Sequence, residues 1–248
     1  KILNMELKKI MGGVGDFLQI ADAAIREKKI KVYSHSSSAC SFFAGLGVEA
    51  HINLFDDALP PNAPEPFLER NLFPSFVPPA SSIDNAEKLL KGEDYIVGIH
   101  PVGGEFWHKY VAKLGVSIKK ILPPPETRLL LELFPKGTRF LVYGGANQLT
   151  PYKQELQDFS TVTYIDYENI WDSLATVLFC HLIIGVDSSI KTMASCKRIP
   201  SIVFVGDTPD PFRDAWFIDP YVQQGVMQTI KYETITPREI TTLKEIIN

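Results

Sequence analysis

The chain has 248 residues, of which 45% are apolar and 22% charged, with a formal net charge of −4. That is the composition of an ordinary globular protein with enough chain to bury a sizeable core. It lacks the basic excess that a long phosphate-tracking surface needs, so no extended nucleic-acid surface is expected. No apolar run reaches the roughly 20 residues of a membrane-spanning helix, and no secretory leader is visible. Cys40, Cys180 and Cys196 show neither a CxxC pair nor zinc spacing; Cys180 and Cys196, in apolar or small-residue surroundings, are expected as reduced buried thiols.

In chain order, a weak strand is expected over Ile2–Ile10, then a glycine-rich turn over Met11–Asp16. Phe17–Lys28 carries apolar residues at helical spacing, and Ile30-Lys31-Val32-Tyr33 alternates as a strand does. Ser38–Leu46 reads as a helix and Ala50–Leu54 as a strand. This β-α-β-α-β order favours a parallel sheet. Seven prolines in Ala58–Pro79 predict an irregular arm, followed by a short helix over Ser82–Lys91 capped by Ser81 or Ser82.

Beyond that arm, strands are expected at Tyr95–Ile99, Arg139–Tyr143, Val162–Ile165, His181–Val186 and Ser201–Val205. Helices are expected within Pro123–Phe134 and over Pro151–Asp158, Ile170–Cys180 and Ser189–Ser195. Such alternation predicts a doubly wound, Rossmann-like unit. The division expected is residues 1–92 as a short first lobe with the proline-rich arm, and 93–248 as a second lobe.

In open α/β sheets, ligands bind beyond the carboxyl ends of the strands. Three strand ends there are candidates: His100-Pro101-Val102-Gly103-Gly104, Tyr143-Gly144-Gly145-Ala146-Asn147 and Gly185-Val186-Asp187-Ser188-Ser189. In the last of these, small hydroxyl residues open a helix whose free N–H groups and dipole favour an anion, and Lys191 adds a full charge. Plain N-capping by Asp187 or Ser188 is the alternative at that position. Gly103 and Gly104 permit close backbone approach, His100 stands at a strand end, and Lys109 follows as a further cation. In the first lobe, Gly12-Gly13-Val14-Gly15-Asp16 matches neither a dinucleotide fingerprint nor a P-loop. Asp16 suits a general base at a cleft, or a helix-capping carboxylate. No nucleophile elbow, HxxxH pair or DxD metal motif occurs.

Taken together, Gly13-x-Gly15-Asp16-Phe17-Leu18, Gly98-Ile99-His100-Pro101, Gly144-Gly145, and Gly185-Val186-Asp187-Ser188-Ser189 with Met193-Ala194 resemble glycosyltransferase family 9, the heptosyltransferase-like enzymes of lipopolysaccharide assembly. The closing Ile199–Pro211 is similar to that family's final strand and its G-x-T-x-P loop. The resemblance implies a GT-B fold of two Rossmann-like parallel-sheet lobes, the first one reduced. It implies inverting transfer of a sugar, without metal or other cofactor, from a nucleotide-diphosphate donor to a saccharide or other hydroxyl acceptor. Asp16 would be the base. Gly15, His100, Gly103, Lys109, Gly144, Gly145, Asp187, Ser188, Ser189, Lys191 and Thr192 would hold the donor and its phosphates. The implied setting is cytoplasmic, with membrane contact at the inner face through the acceptor. The family's D-T-G-x-x-H appears here with Ser189 in place of Gly and Thr192 in place of His, which leaves the sugar open. A sugar-nucleotide epimerase or phosphorylase, or a noncatalytic nucleotide- or sugar-binding protein, are the alternative readings on the same fold.

Overall fold

A computed structural model describes residues 9–34, 36–54, 69–92, 95–103, 121–166, 168–206, 214–232 and 235–247. The first lobe is built as β1 (Lys9–Gly12), α1 (Val14–Glu27), β2 (Lys29–Ser34), α2 (Ala39–Gly45) and β3 (Glu49–Leu54), its strands parallel in the order β1-β2-β3. After the arm come α3 (Ala80–Leu90) and β4 (Ile96–His100). They are followed by α4 (Pro124–Leu131), β5 (Arg139–Tyr143), α5 (Ala146–Glu155), β6 (Val162–Ile165), α6 (Ile170–Val177) and β7 (Leu182–Val186). Then α7 (Ser189–Cys196), β8 (Ser201–Gly206), a π turn (Asp214–Ile218), α8 (Asp219–Gln223), β9 (Met227–Tyr232) and α9 (Pro237–Ile247) complete the described chain.

The large sheet is parallel throughout, in the order β6-β5-β4-β7-β8-β9. The chain winds outward from β4 in one direction and, from β7, in the other. The topological switch point therefore lies between β4 and β7, where such folds open a crevice. Strand residues alternate between the two faces. Val97, Ile99, Val142, Ile184 and Phe204 pack with α4, α5 and α9, whereas Leu141, Tyr143, Ile183, Val203 and Val205 belong to a second core. That second core also contains Phe17, Ile30, Val32, Phe42 and Phe43 of the first lobe. The two sheets thus share one apolar interior, with α1 packed on α7 and α2 on α6.

Specific contacts reinforce this junction. The Trp171 indole stacks on Phe42 at 4.8 Å and donates from Nε1 to the carbonyls of Ser41 (3.1 Å) and Phe42 (3.0 Å). The Lys197 ammonium, at the end of α7, donates to the carbonyls of Pro74 (2.9 Å) and Phe76 (2.5 Å) of the arm. Asp22 of α1 accepts from the backbone N–H groups of Ser75 and Phe76. Residues 69–79 accordingly run as irregular chain, pinned on both sides.

Several boundaries differ from expectation. Helix α1 begins at Val14 rather than Phe17, because the Asp16 carboxylate accepts the Gly13 N–H (3.0 Å) and closes the first turn there. Helix α3 starts at Ala80 behind Pro79, without a side-chain cap, so neither Ser81 nor Ser82 caps it. Helix α5 starts five residues before Pro151, since Gly145 and Gln148 form its cap; Pro151 lies in the second turn and forfeits one i→i−4 bond there. The expected strand over Ile2–Ile10 lies partly outside the described residues, and the arm up to residue 68, Gly104, Lys109 and the loop at 207–211 lie wholly outside them.

Candidate active site at the switch point

Strand β4 ends in His100, which pairs in register with Gly185 of β7. A Cβ on Gly185 would stand 2.2 Å from the His100 carbonyl oxygen, so only glycine lets these strand ends approach so closely. The His100 imidazole is buried, and burial pushes its pKa down to about 3 against the opposing pull of Asp187. It is therefore neutral at any physiological pH. After His100 the chain is pinned by the Leu122 N–H to Pro101 carbonyl bond (2.7 Å) and by a Val102–Ile121 bridge, and Gly103 is buried beside them.

Beyond β7, Asp187, Ser188 and Ser189 are partly exposed at the opening of α7. Ser188 is the cap, its Oγ accepting the Lys191 N–H at 3.3 Å. Thr192 Oγ1 donates to the Ser188 carbonyl (3.0 Å). Lys191 is only 1% exposed; its Nζ binds Asp187 Oδ1 (2.8 Å) and the Phe217 carbonyl (2.8 Å). Its charge therefore lies beneath the turn and neutralises Asp187, rather than extending from the surface. Gly144 and Gly145 follow β5, on the far side of β4. Gly144 packs against Leu149, and the Gly145 N–H donates to Gln148 Oε1 (2.9 Å), so both serve the start of α5.

The first lobe supplies the opposite wall. A Cβ on Gly15 would lie 3.5 Å from Thr192 Oγ1 and 4.0 Å from the Phe217 ring. The first turn of α1 thus abuts the first turn of α7, and two helix N-termini converge. Asp16 stands on that α1 turn. Its Oδ2 accepts from Gly13 and its Oδ1 from Arg70 Nη2 at 2.9 Å, with the Asp16 side chain 23% exposed and Arg70 8%. The Arg70 guanidinium and the Lys191 ammonium both approach the Phe217 ring, at 5.3 and 5.4 Å from its centroid. The site therefore holds two ion pairs, Asp16 with Arg70 and Asp187 with Lys191, whose two cations meet at one aromatic ring.

Arg70 and Phe217 escaped the sequence reading. Arg70 sits in a proline-rich stretch that reads only as an arm, and Phe217 follows the last strand that patterning could place. Among the described residues, no three His, Cys, Asp or Glu side chains converge as a metal-binding group, and no helix is long and apolar enough to cross a membrane.

No protein-family model matches this sequence, and no curated protein matches it by sequence. Solved structures do match. E. coli ADP-heptose LPS heptosyltransferase II aligns over 97% of this chain and 99% of its own, with a TM-score of 0.58 at 12% identity. A family 9 glycosyl transferase from Veillonella parvula aligns over 98% and 90%, with a TM-score of 0.57 at 14% identity. E. coli heptosyltransferase WaaC with ADP-2-deoxy-2-fluoro heptose aligns over 97% and 99%, with a TM-score of 0.51 at 9% identity. The chain has the GT-B-like fold of the heptosyltransferase-like, family 9 glycosyltransferases.

Proposed function

We propose that this protein is a glycosyltransferase that moves a sugar from a nucleotide-diphosphate donor to an acceptor hydroxyl in a single, inverting displacement that needs no metal. The observation that carries this reading is the meeting of Asp16 with the opening of α7, in contact through Gly15 and Thr192. A carboxylate able to act as base then faces a turn able to hold a leaving diphosphate.

In this mechanism the donor lies on the second lobe and the acceptor on the first. The diphosphate sits at the switch point, receiving N–H groups from the Ser189 turn of α7 and the positive ends of both helix dipoles. Lys191 cancels the charge of Asp187, which would otherwise repel the phosphates from that turn. Gly103, Gly144 and Gly145 allow the donor to come close to the backbone, and His100 offers a neutral imidazole beside it. Asp16 takes the proton from the acceptor hydroxyl as its oxygen attacks the anomeric carbon. One C–O bond forms there, the bond to the phosphate oxygen breaks, and the nucleoside diphosphate leaves carrying the electron pair.

Water serves as a slow substitute acceptor, so the test requires no knowledge of the natural one. UDP-, ADP- and GDP-linked hexoses and heptoses are incubated with the protein, and nucleoside diphosphate release is timed. For the donor that turns over, Asp16→Asn should lower release by about 100-fold or more, the scale of general-base catalysis, with donor Kd changed less than about threefold. Turnover by the variant at the wild-type rate removes Asp16 from the chemistry.

A further inference from the structure

The Asp16 carboxylate is held through a chain of buried polar groups that begins on the other lobe. Arg70, which donates to Asp16, also donates from Nη1 to Gln19 Oε1 at 2.7 Å. Gln19 Nε2 donates to the Tyr221 hydroxyl at 3.1 Å, and that hydroxyl donates to the Leu72 carbonyl at 3.0 Å. Gln19 and Tyr221 are completely buried; Gln19 stands one turn after Asp16 on α1, in a buried run with Phe17, Leu18, Ile20 and Ala21. A carboxamide among such neighbours costs free energy unless both its ends are bonded, and an apolar residue would fill the position at less expense.

Each direction along this chain is dictated by chemistry. Arginine only donates, so Gln19 must turn its oxygen towards Arg70. Its amide nitrogen then faces Tyr221 and needs an acceptor there, which sends the phenolic proton to Leu72. The Asn71 N–H closes the circuit on the Gln19 carbonyl at 2.7 Å, so the segment bearing Arg70 is tied to α1 and to α8 together. The Phe73 ring meets Tyr221 edge-on at 6.0 Å and keeps the phenol in place.

We propose that Tyr221 and Gln19 are positioning residues for the transfer reaction: through Arg70 they fix the direction of the Asp16 carboxylate. This inference rests on the reading of Asp16 as the base. Tyr221 belongs to α8, which follows directly on the π turn whose Phe217 carbonyl holds Lys191. One short segment of the second lobe therefore supports both the base and the donor turn.

The test uses Tyr221→Phe, which removes a single oxygen and keeps the ring, in the nucleoside diphosphate release assay described above. Freed at its nitrogen end, the Gln19 side chain and the Arg70 it holds can shift, and the carboxylate loses its fixed direction. The expected result is a fall in kcat of about tenfold with the donor KM unchanged, and about 100-fold for Gln19→Leu, which also takes the acceptor from Arg70. In an Asp16→Asn background the Tyr221→Phe change should add less than a twofold loss, because the group it positions is gone. Wild-type kcat in Tyr221→Phe, or the same tenfold loss in both backgrounds, overturns the proposal. If the Asp16→Asn background turns over too slowly to time, the kinetic split decides: loss carried by donor KM rather than kcat also overturns it. Wild-type turnover of Asp16→Asn alone is a different outcome, and defeats the base assignment instead.

Discussion

Gly45 ends α2 in direct contact with Trp171 of the second lobe. A methyl group there would be built 2.0 Å from the indole Nε1 and 2.4 Å from Cδ1. Replacing a helical glycine by alanine ordinarily stabilises by up to about 1 kcal/mol. Here the indole must retreat instead. Overpacking of this kind costs about 1–3 kcal/mol, and the two bonds from Nε1 to the Ser41 and Phe42 carbonyls are lost or lengthened at about 1 kcal/mol each. The net expectation for Gly45→Ala is a destabilisation of about 2–4 kcal/mol, or a fall in Tm of about 5–15 °C for a chain of this size. Differential scanning calorimetry of the intact protein measures it. In a Trp171→Phe background the same substitution should cost at most about 1 kcal/mol, since the smaller ring leaves room. A Tm of Gly45→Ala equal to or above that of the wild type would refute the account of how the lobes are joined.

The burial of His100 gives a pH dependence with a definite sign. Its folded pKa of about 3 lies below the unfolded value of about 6.5, so between these values the unfolded chain binds more protons. Its contribution to stability is fully present above pH 6.5 and declines on acidification, by at most about 1.4 kcal/mol per pH unit. Urea unfolding at pH 7 and pH 5 should show a larger loss for the wild type than for His100→Gln; equal losses would contradict the buried, neutral assignment. Burial likewise pushes the thiols of Cys180 and Cys196 up to about 12 and 11, while Cys40 is exposed. Ellman's reagent should therefore label one thiol per native chain and three after unfolding, and rapid labelling of three in the native state would show that these cores are open.

Local signals in the sequence reached much of the fold. Arg139–Tyr143 and Val162–Ile165 are strands with the expected ends, since each is a β-rich run bounded by breakers. Asp187-Ser188-Ser189 announced a helix start because capping is chemistry among neighbours, and Ser188 caps it. Strand β9 gave no such signal, since its burial falls at Met227, Ile230 and Tyr232 rather than at alternate positions. Helix α9 carried one that the reading passed over: Thr236 and Glu239 bracket its first turn, Pro237 opens it, and Ile240 and Leu243 follow at helical spacing. The site divides in the same way. Asp16 and the α7 turn could be picked out from their own surroundings. Arg70 reaches Asp16 across 54 positions, Phe217 reaches Lys191 across 26, and Tyr221 reaches Gln19 across 202. Partners at such separations leave no periodic trace, and a glutamine inside an otherwise apolar run, as at Gln19, was the one available hint.

The proposed seat of the nucleotide-diphosphate sugar is the switch point between β4 and β7. Isothermal titration of the intact protein with UDP, ADP and GDP, their hexose or heptose conjugates and the parent nucleosides shows whether it is filled. One diphosphate family should bind, its nucleoside far more weakly, and Ser189→Pro, which deletes an N–H at the opening of α7, should remove most of that difference. Equal affinity for nucleoside and nucleoside diphosphate, or no binding by any of them, would contradict this placement.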